Sequence, residues 1–270
     1  MKIVIEPGRG AADYWRDLWR YRELLSFLAW RDVAVRYKQT AIGFAWALIR
    51  PALTLLVFVA FRRMAGLRQG EVPDALLVLA AVLPWQFFSS ALLETSNSLI
   101  GNTALIAKVY FPRLIIPIAA VATAFVDFLA TLVLVVLLMA WYGFTPDLRI
   151  AAMPLLVVLA AALSLGLGLL LAALSVRYRD FRYVVPFIVQ LGLFVSPVAF
   201  DTSQVPERWR LLYALNPMVG IIDGFRWSML GGRTPIDAQV LAASVAVTFV
   251  AMILGVSYFR RTERGFADAI

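Results

Sequence analysis

Six stretches of this chain are apolar for about the length of a lipid bilayer. They cover 41–61, 75–95, 114–142, 151–174, 183–200 and 238–259. A spanning helix needs roughly 20 mostly apolar residues. Inside lipid every backbone N–H and C=O has to be satisfied by the protein itself, so runs of this kind fold as helices. The expected architecture is an all-α integral membrane protein, a single transmembrane domain over residues 1–270 with six spans.

Composition narrows the chemistry. Hydrophobic residues make up 62% of the chain and charged residues 16%, as in polytopic membrane proteins. The net charge of +8 reflects cytoplasmic loops and anionic headgroups rather than nucleic acid. Cysteine and histidine are both absent. That excludes a disulfide framework, a thiolate nucleophile, an imidazole base and an ordinary zinc site. There is no G-x-x-x-x-G-K-[ST] loop to cradle nucleotide phosphates. No two carboxylates stand at a spacing suited to general acid and base work. An enzyme acting on lipid-linked sugars is disfavoured on these grounds, and no metal or cofactor is expected on this chain. The first 40 residues are dense in charge and lack an apolar h-region, so no secretory signal is expected.

Lys and Arg give an orientation. With both termini cytoplasmic, inner basic residues outnumber outer ones two to one, with Arg62, Arg63 and Arg68 counting against. The inner set includes Lys2, Arg9 and Arg264, and the outer set includes Arg226.

Three stretches fall outside simple spans. In 13–39, Leu18, Tyr21, Leu25 and Leu28 recur at helical spacing, with Trp15, Trp19 and Trp30 beside them. This predicts an amphipathic helix on the cytoplasmic surface. In 201–235, the run LLYALNPMVGII is too short to cross and is broken at Asn216-Pro217. It predicts two short re-entrant helices dipping from the outer face. The third stretch, 96–112, leads through Asn102 to Lys108, Tyr110, Phe111, Pro112 and Arg113. Lys108 and Arg113 read either as ordinary inner charges or, with the two rings, as a knob for a partner. Within span four, Ser164, Gly168 and Ala172 predict close helix packing. Arg50 and Asp127 are intramembrane charges, for which a function or a pair is the default.

Two segments carry a family resemblance. RDVAVRYKQTAIGFAWALIRP, 31–51, resembles the approach to the first span in polysaccharide-exporting ABC-2 permeases, and NTALIAKVYFPR, 102–113, resembles their loop after span two. The ending ERGFADAI, 263–270, is similar as well. The nearest group is the O-antigen exporters, with capsule and teichoic acid permeases as relatives. Arg50 departs from the Gln often found before that proline. The resemblance implies a homodimer in the bacterial inner membrane. Each copy would dock one separate ATP-binding subunit, which carries the ATP and Mg. A lipid-linked polysaccharide would pass through a channel between the copies. The segment 96–112 would couple to the ATPase through Asn102, Lys108, Tyr110, Phe111, Pro112 and Arg113. The 13–39 helix would share that interface, and 201–235 would form the outer gate.

On that reading Arg36, Lys38 and Arg50 are candidates for the substrate's pyrophosphate; Arg50 alternatively pairs with Asp127 or snorkels. A sugar ring has an apolar face on which aromatic rings stack. Trp46, Phe58, Trp85, Phe87, Phe88, Phe194 and Phe200 are therefore channel candidates, or else belt and core residues. An exporter of drugs or small lipids is the alternative within transport. A receptor or scaffold without transport would leave 201–235 unexplained.

Overall fold

The structure is a computed structural model, and it describes residues 11–38, 43–66 and 71–266. Lys2, Arg9, Arg68, the side chain of Arg264, residues 39–42 of the first family segment and residues 267–270 of the ending lie outside the described residues. All regular structure among the described residues is helical. In chain order the α-helices are α1 (Ala11–Arg20), α2 (Arg22–Lys38), α3 (Trp46–Met64), α4 (Asp74–Gly101), α5 (Thr103–Lys108) and α6 (Ile115–Trp141). Then follow α7 (Met153–Arg177), α8 (Phe181–Val195), α9 (Glu207–Tyr213), α10 (Pro217–Met229) and α11 (Ala238–Thr262).

Among the described residues five helices, not six, are long and apolar enough to cross a bilayer: α3, α4, α6, α7 and α11, counting the 3₁₀ turns before α3 and α7. The expected span at 183–200 is instead the 15-residue α8. At 1.5 Å per residue it is about 22 Å long, short of the roughly 30 Å core. Its end has a local cause. Proline biases the preceding residue away from the helical region, and Ser196, before Pro197, is extended at ψ 153°.

α4 is the central pillar, packed against α6, α7, α3 and α10. Its apolar window is 72% buried, whereas that of α3 is 11% buried, so one long face of α3 is uncovered. α7 meets α11 backbone to backbone: a Cβ on Gly255 would lie 2.0 Å from the Gly166 carbonyl oxygen. Small residues permit such close crossings. Ser164, Gly168 and Ala172 are all buried, and a Cβ on Gly168 would lie 2.5 Å from Thr95 Cγ2.

The N-terminal helices follow the expected face. Leu28 is buried, and Tyr14, Leu18, Tyr21 and Leu25 pack with it onto Leu99, Ile106, Phe111, Leu114 and Phe259. That face therefore covers protein, while Trp15, Trp19 and Trp30 point outward.

Residues 201–235 contain two short helices, α9 and α10. Asn216 caps α10 by accepting from Met218 N–H at 3.1 Å, with Pro217 at the first helical position. α10 is enclosed by α4, α7 and α11. Its Arg226 is 1% exposed and donates to three carbonyls: Phe200 at 3.1 Å, Val198 at 3.3 Å and Leu77 at 3.4 Å. Asp201 stands 3.5 Å and Asp223 3.9 Å away. Arg62, 3% exposed, donates to Asp74 at 3.2 Å and to the Ala199 carbonyl at 3.3 Å. These two arginines counted as outer loop charges in the sequence; both are buried and paired.

Removing one partner of a buried charge cluster costs about 3–5 kcal/mol. Arg226→Met is expected to lower the thermal unfolding midpoint of the detergent-solubilised protein sharply. Arg63→Met, at the exposed neighbour of Arg62, should leave the midpoint in place. Equal midpoints for the two variants would contradict the clamp.

Candidate functional site

A cavity of about 600 Å³ opens between the end of α2, the first half of α3, α4 and α6. Its wall includes Arg36, Tyr37, Trp46, Arg50, Gln86, Phe87, Ser90 and Asp127. Arg36 lies between two carboxylates: Nη2 is 2.6 Å from Glu94 Oε1, and Nη1 donates to Asp127 Oδ2. The Tyr37 hydroxyl donates to the other Asp127 oxygen. Both oxygens of Asp127 are thus taken, and Arg50 is not among their partners. Pro51 has no N–H to return to the Ala47 carbonyl, and both residues line the cavity. Gln86 Nε2 donates to Thr54 Oγ1 at 3.3 Å, and that hydroxyl donates to the Arg50 carbonyl at 2.9 Å. The guanidinium of Arg50 has no ion-pair or hydrogen-bond partner among the described residues.

A second cleft of about 550 Å³ lies farther along α3, lined by Val57, Phe58, Phe61, Leu193, Phe194, Ala199 and Phe200. Leu53 and Thr54 belong to both, so the two form one groove along α3.

The candidate residues divide accordingly. Trp46, Phe87, Arg36, Arg50 and Asp127 meet in the first cavity; Phe58, Phe194 and Phe200 meet in the second. Lys38 is exposed and lines neither. Trp85 and Phe88 are 6% and 7% exposed and belong to the apolar core. Trp85 packs so closely on α8 that a Cβ on Gly192 would lie 2.8 Å from its ring. Glu94 and Tyr37 were missed in the sequence; Glu94 breaks an apolar run, whereas Tyr37, between Arg36 and Lys38, gives no signal of its own.

The segment after α4 is clipped down. Asn102 Oδ1 accepts from Arg31 at 2.8 Å, which ties α2 to the start of α5. Phe111 and Pro112 are buried in the core under α2, so the ring that projects is Tyr110, 65% exposed, beside exposed Lys108 and Val109. Arg113 faces inward too: its backbone N–H donates to Glu263 Oε1 at 3.1 Å, its side chain donates to the Glu263 carbonyl, and its guanidinium lies 6.0 Å from the Phe266 ring. Tyr14 donates to the same Glu263 oxygen at 3.1 Å.

A helical protein with several bilayer-length apolar helices, a ring-walled groove along one of them and a clipped loop at one end has the build of a polytopic membrane permease. The sequence comparison makes the class specific. The chain belongs to the ABC-2 type transporter family, whose model matches residues 23–230. It is 30% identical over 257 residues to the O-antigen export system permease protein RfbA of Myxococcus xanthus, covering 94% of this chain and 98% of that one. It is 21% identical over 242 residues to the polysialic acid transport protein KpsM of Escherichia coli, covering 86% and 91%. Similarity also extends to the capsule polysaccharide export inner-membrane protein CtrC of Neisseria meningitidis, 26% over 221 residues, covering 78% and 80%.

Burial raises the Glu263 carboxyl above the usual glutamate range, against the opposing Arg113 N–H, the Tyr14 hydroxyl and the Arg113 and Arg260 charges. Ionisation therefore penalises the folded state. The stability linked to this group is present below the ordinary glutamate pKa of about 4.3 and is lost as pH rises through the raised value. Glu263→Gln is expected to flatten that part of a plot of unfolding midpoint against pH. An unchanged pH profile in the variant would contradict this assignment.

Proposed function

We propose that this chain is the permease subunit of an ATP-driven exporter that moves a lipid-linked polysaccharide across the bacterial inner membrane. The observation that carries the reading is the groove along α3. Trp46 stands at one end and Phe58, Phe194 and Phe200 at the other, with Thr54 common to both halves, while Phe87, 2% exposed, belongs to the apolar core within the wall. Rings give a sliding polymer broad contact without register-specific bonds, and conduction needs sites that release as readily as they bind. Export of O-antigen or capsule by the relatives named above supports the same cargo class.

The uncovered face of α3 favours a homodimer in which two grooves face each other as a channel. In this arrangement both termini are cytoplasmic. α8 with the turns that follow it and the short outer helices supplies the sixth passage and the outer gate. The chain itself holds no nucleotide site, so two separate ATP-binding subunits drive it, with ATP and Mg bound there. They dock on the α5 surface formed by Ala104, Ala107, Lys108, Val109 and Tyr110. Export of a small lipid is the second reading; it draws on the almost wholly apolar lining of the outer cleft.

The test is co-purification of this chain with an ATP-binding subunit co-expressed from the same source cell. Tyr110→Ala removes a projecting ring whose truncation leaves the core intact. It should weaken the complex about tenfold or more, as a central aromatic anchor does, and uncouple ATP hydrolysis from export. Full assembly with Tyr110→Ala and Lys108→Ala combined would sink the docking assignment.

A further inference from the structure

We propose that Arg50 is the anion receptor of the inner cavity and makes this permease selective for cargo with an oxyanion at that depth. The inference rests on reading the cavity as the cargo's path, and it assigns different work to the two arginines there. Arg36 is committed. Its guanidinium spans Glu94 and Asp127, and so joins α2 to α4 and α6. Asp127 is also committed, with one oxygen accepting from Arg36 and the other from Tyr37. Arg50 faces the same space with no ion-pair partner among the described residues.

An unpaired cation in an apolar span is costly, so it is held for a purpose or escapes to the headgroups. Arg50 stands seven residues into the span that begins at Gly43, roughly 10 Å along its axis at 1.5 Å per residue. That depth places a guanidinium within reach of a headgroup-level phosphate. Two neutral donors on α4 line the same cavity. Gln86 spends one N–H on Thr54 and keeps the other, and the Ser90 hydroxyl has no protein partner among the described residues. A fork-shaped guanidinium with an amide and a hydroxyl beside it fits a phosphate or carboxylate, which accepts bidentate bonds. Trp46, 41% exposed, stands over the same opening and offers an apolar wall to what is attached.

The oxyanion has two possible sources: the diphosphate of the lipid carrier, or an acidic group on the glycan. Binding to the purified chain in phosphatidylcholine nanodiscs separates them. The probes are a polyprenyl diphosphate, the matching neutral polyprenol and a glucuronate oligosaccharide. The wild type should prefer at least one anion over the polyprenol tenfold or more. Arg50→Gln should abolish that preference and Arg50→Lys should keep part of it. Loss for the diphosphate alone names the carrier; loss for the glucuronate alone names the glycan. Arg50→Gln should melt with the wild type, whereas Arg36→Gln should melt lower, because of these two only Arg36 joins helices. Anion preference equal in the wild type and Arg50→Gln overturns this proposal but leaves the export reading standing. A wild type that binds none of the three probes overturns both.

Discussion

Two buried guanidinium groups hold together the end of this protein built around α10. α8 ends at Val195, and the chain beyond it leaves the helix at Ser196 and turns through Val198, Ala199 and Phe200 beside apolar helices. Backbone in such a place cannot leave its carbonyls without donors. Arg226 supplies Val198 and Phe200, and Arg62 supplies Ala199. The charges are in turn answered by Asp74, Asp201 and Asp223. The outer cleft depends on this clamp, since Ala199 and Phe200 form part of its wall. A short helix is tolerated here because the missing helical bonds are replaced by arginine side chains.

The opposite end depends on α2. Through Arg31 it holds Asn102 at the start of α5, and through Arg36 it holds Glu94 and Asp127 at the wall of the cavity. Its apolar face meets the core under Phe111 and Leu114. One helix therefore touches both the exposed α5 surface and the polar end of the groove. In the proposed docking, displacement of α5 by a bound subunit would have a covalent and hydrogen-bonded route through α2 to Arg36 and Tyr37.

Much of the helical architecture was legible because its cause is local. The spacing of Leu18, Tyr21, Leu25 and Leu28 defined the face that α1 and α2 bury, and Ser164, Gly168 and Ala172 marked the tight face of α7. The apolar run 183–200 misled, because hydropathy does not register the break that Pro197 imposes. The charged sites were least legible. Arg36 and Asp127 lie 91 residues apart in sequence, and periodicity names the face of a helix without naming its neighbour. Arg62 and Arg226 looked like outer loop charges for the same reason. Tyr110 and Phe111 are adjacent rings, and only the packing of Phe111 under α2 decides which of them projects.

The central claim is that cargo travels along the α3 groove. A chain without cysteine is suited to a direct test, because one cysteine can be placed wherever a photoreactive label is wanted. Labelled Thr54→Cys, at the junction of the two clefts, would be irradiated in cells making the polysaccharide, alongside labelled Leu155→Cys on the exposed side of α7. Glycan-bearing adducts concentrated at residue 54, with phospholipid alone at residue 155, are the expected result. Glycan adducts at equal yield on both sites, or none at residue 54, would contradict it.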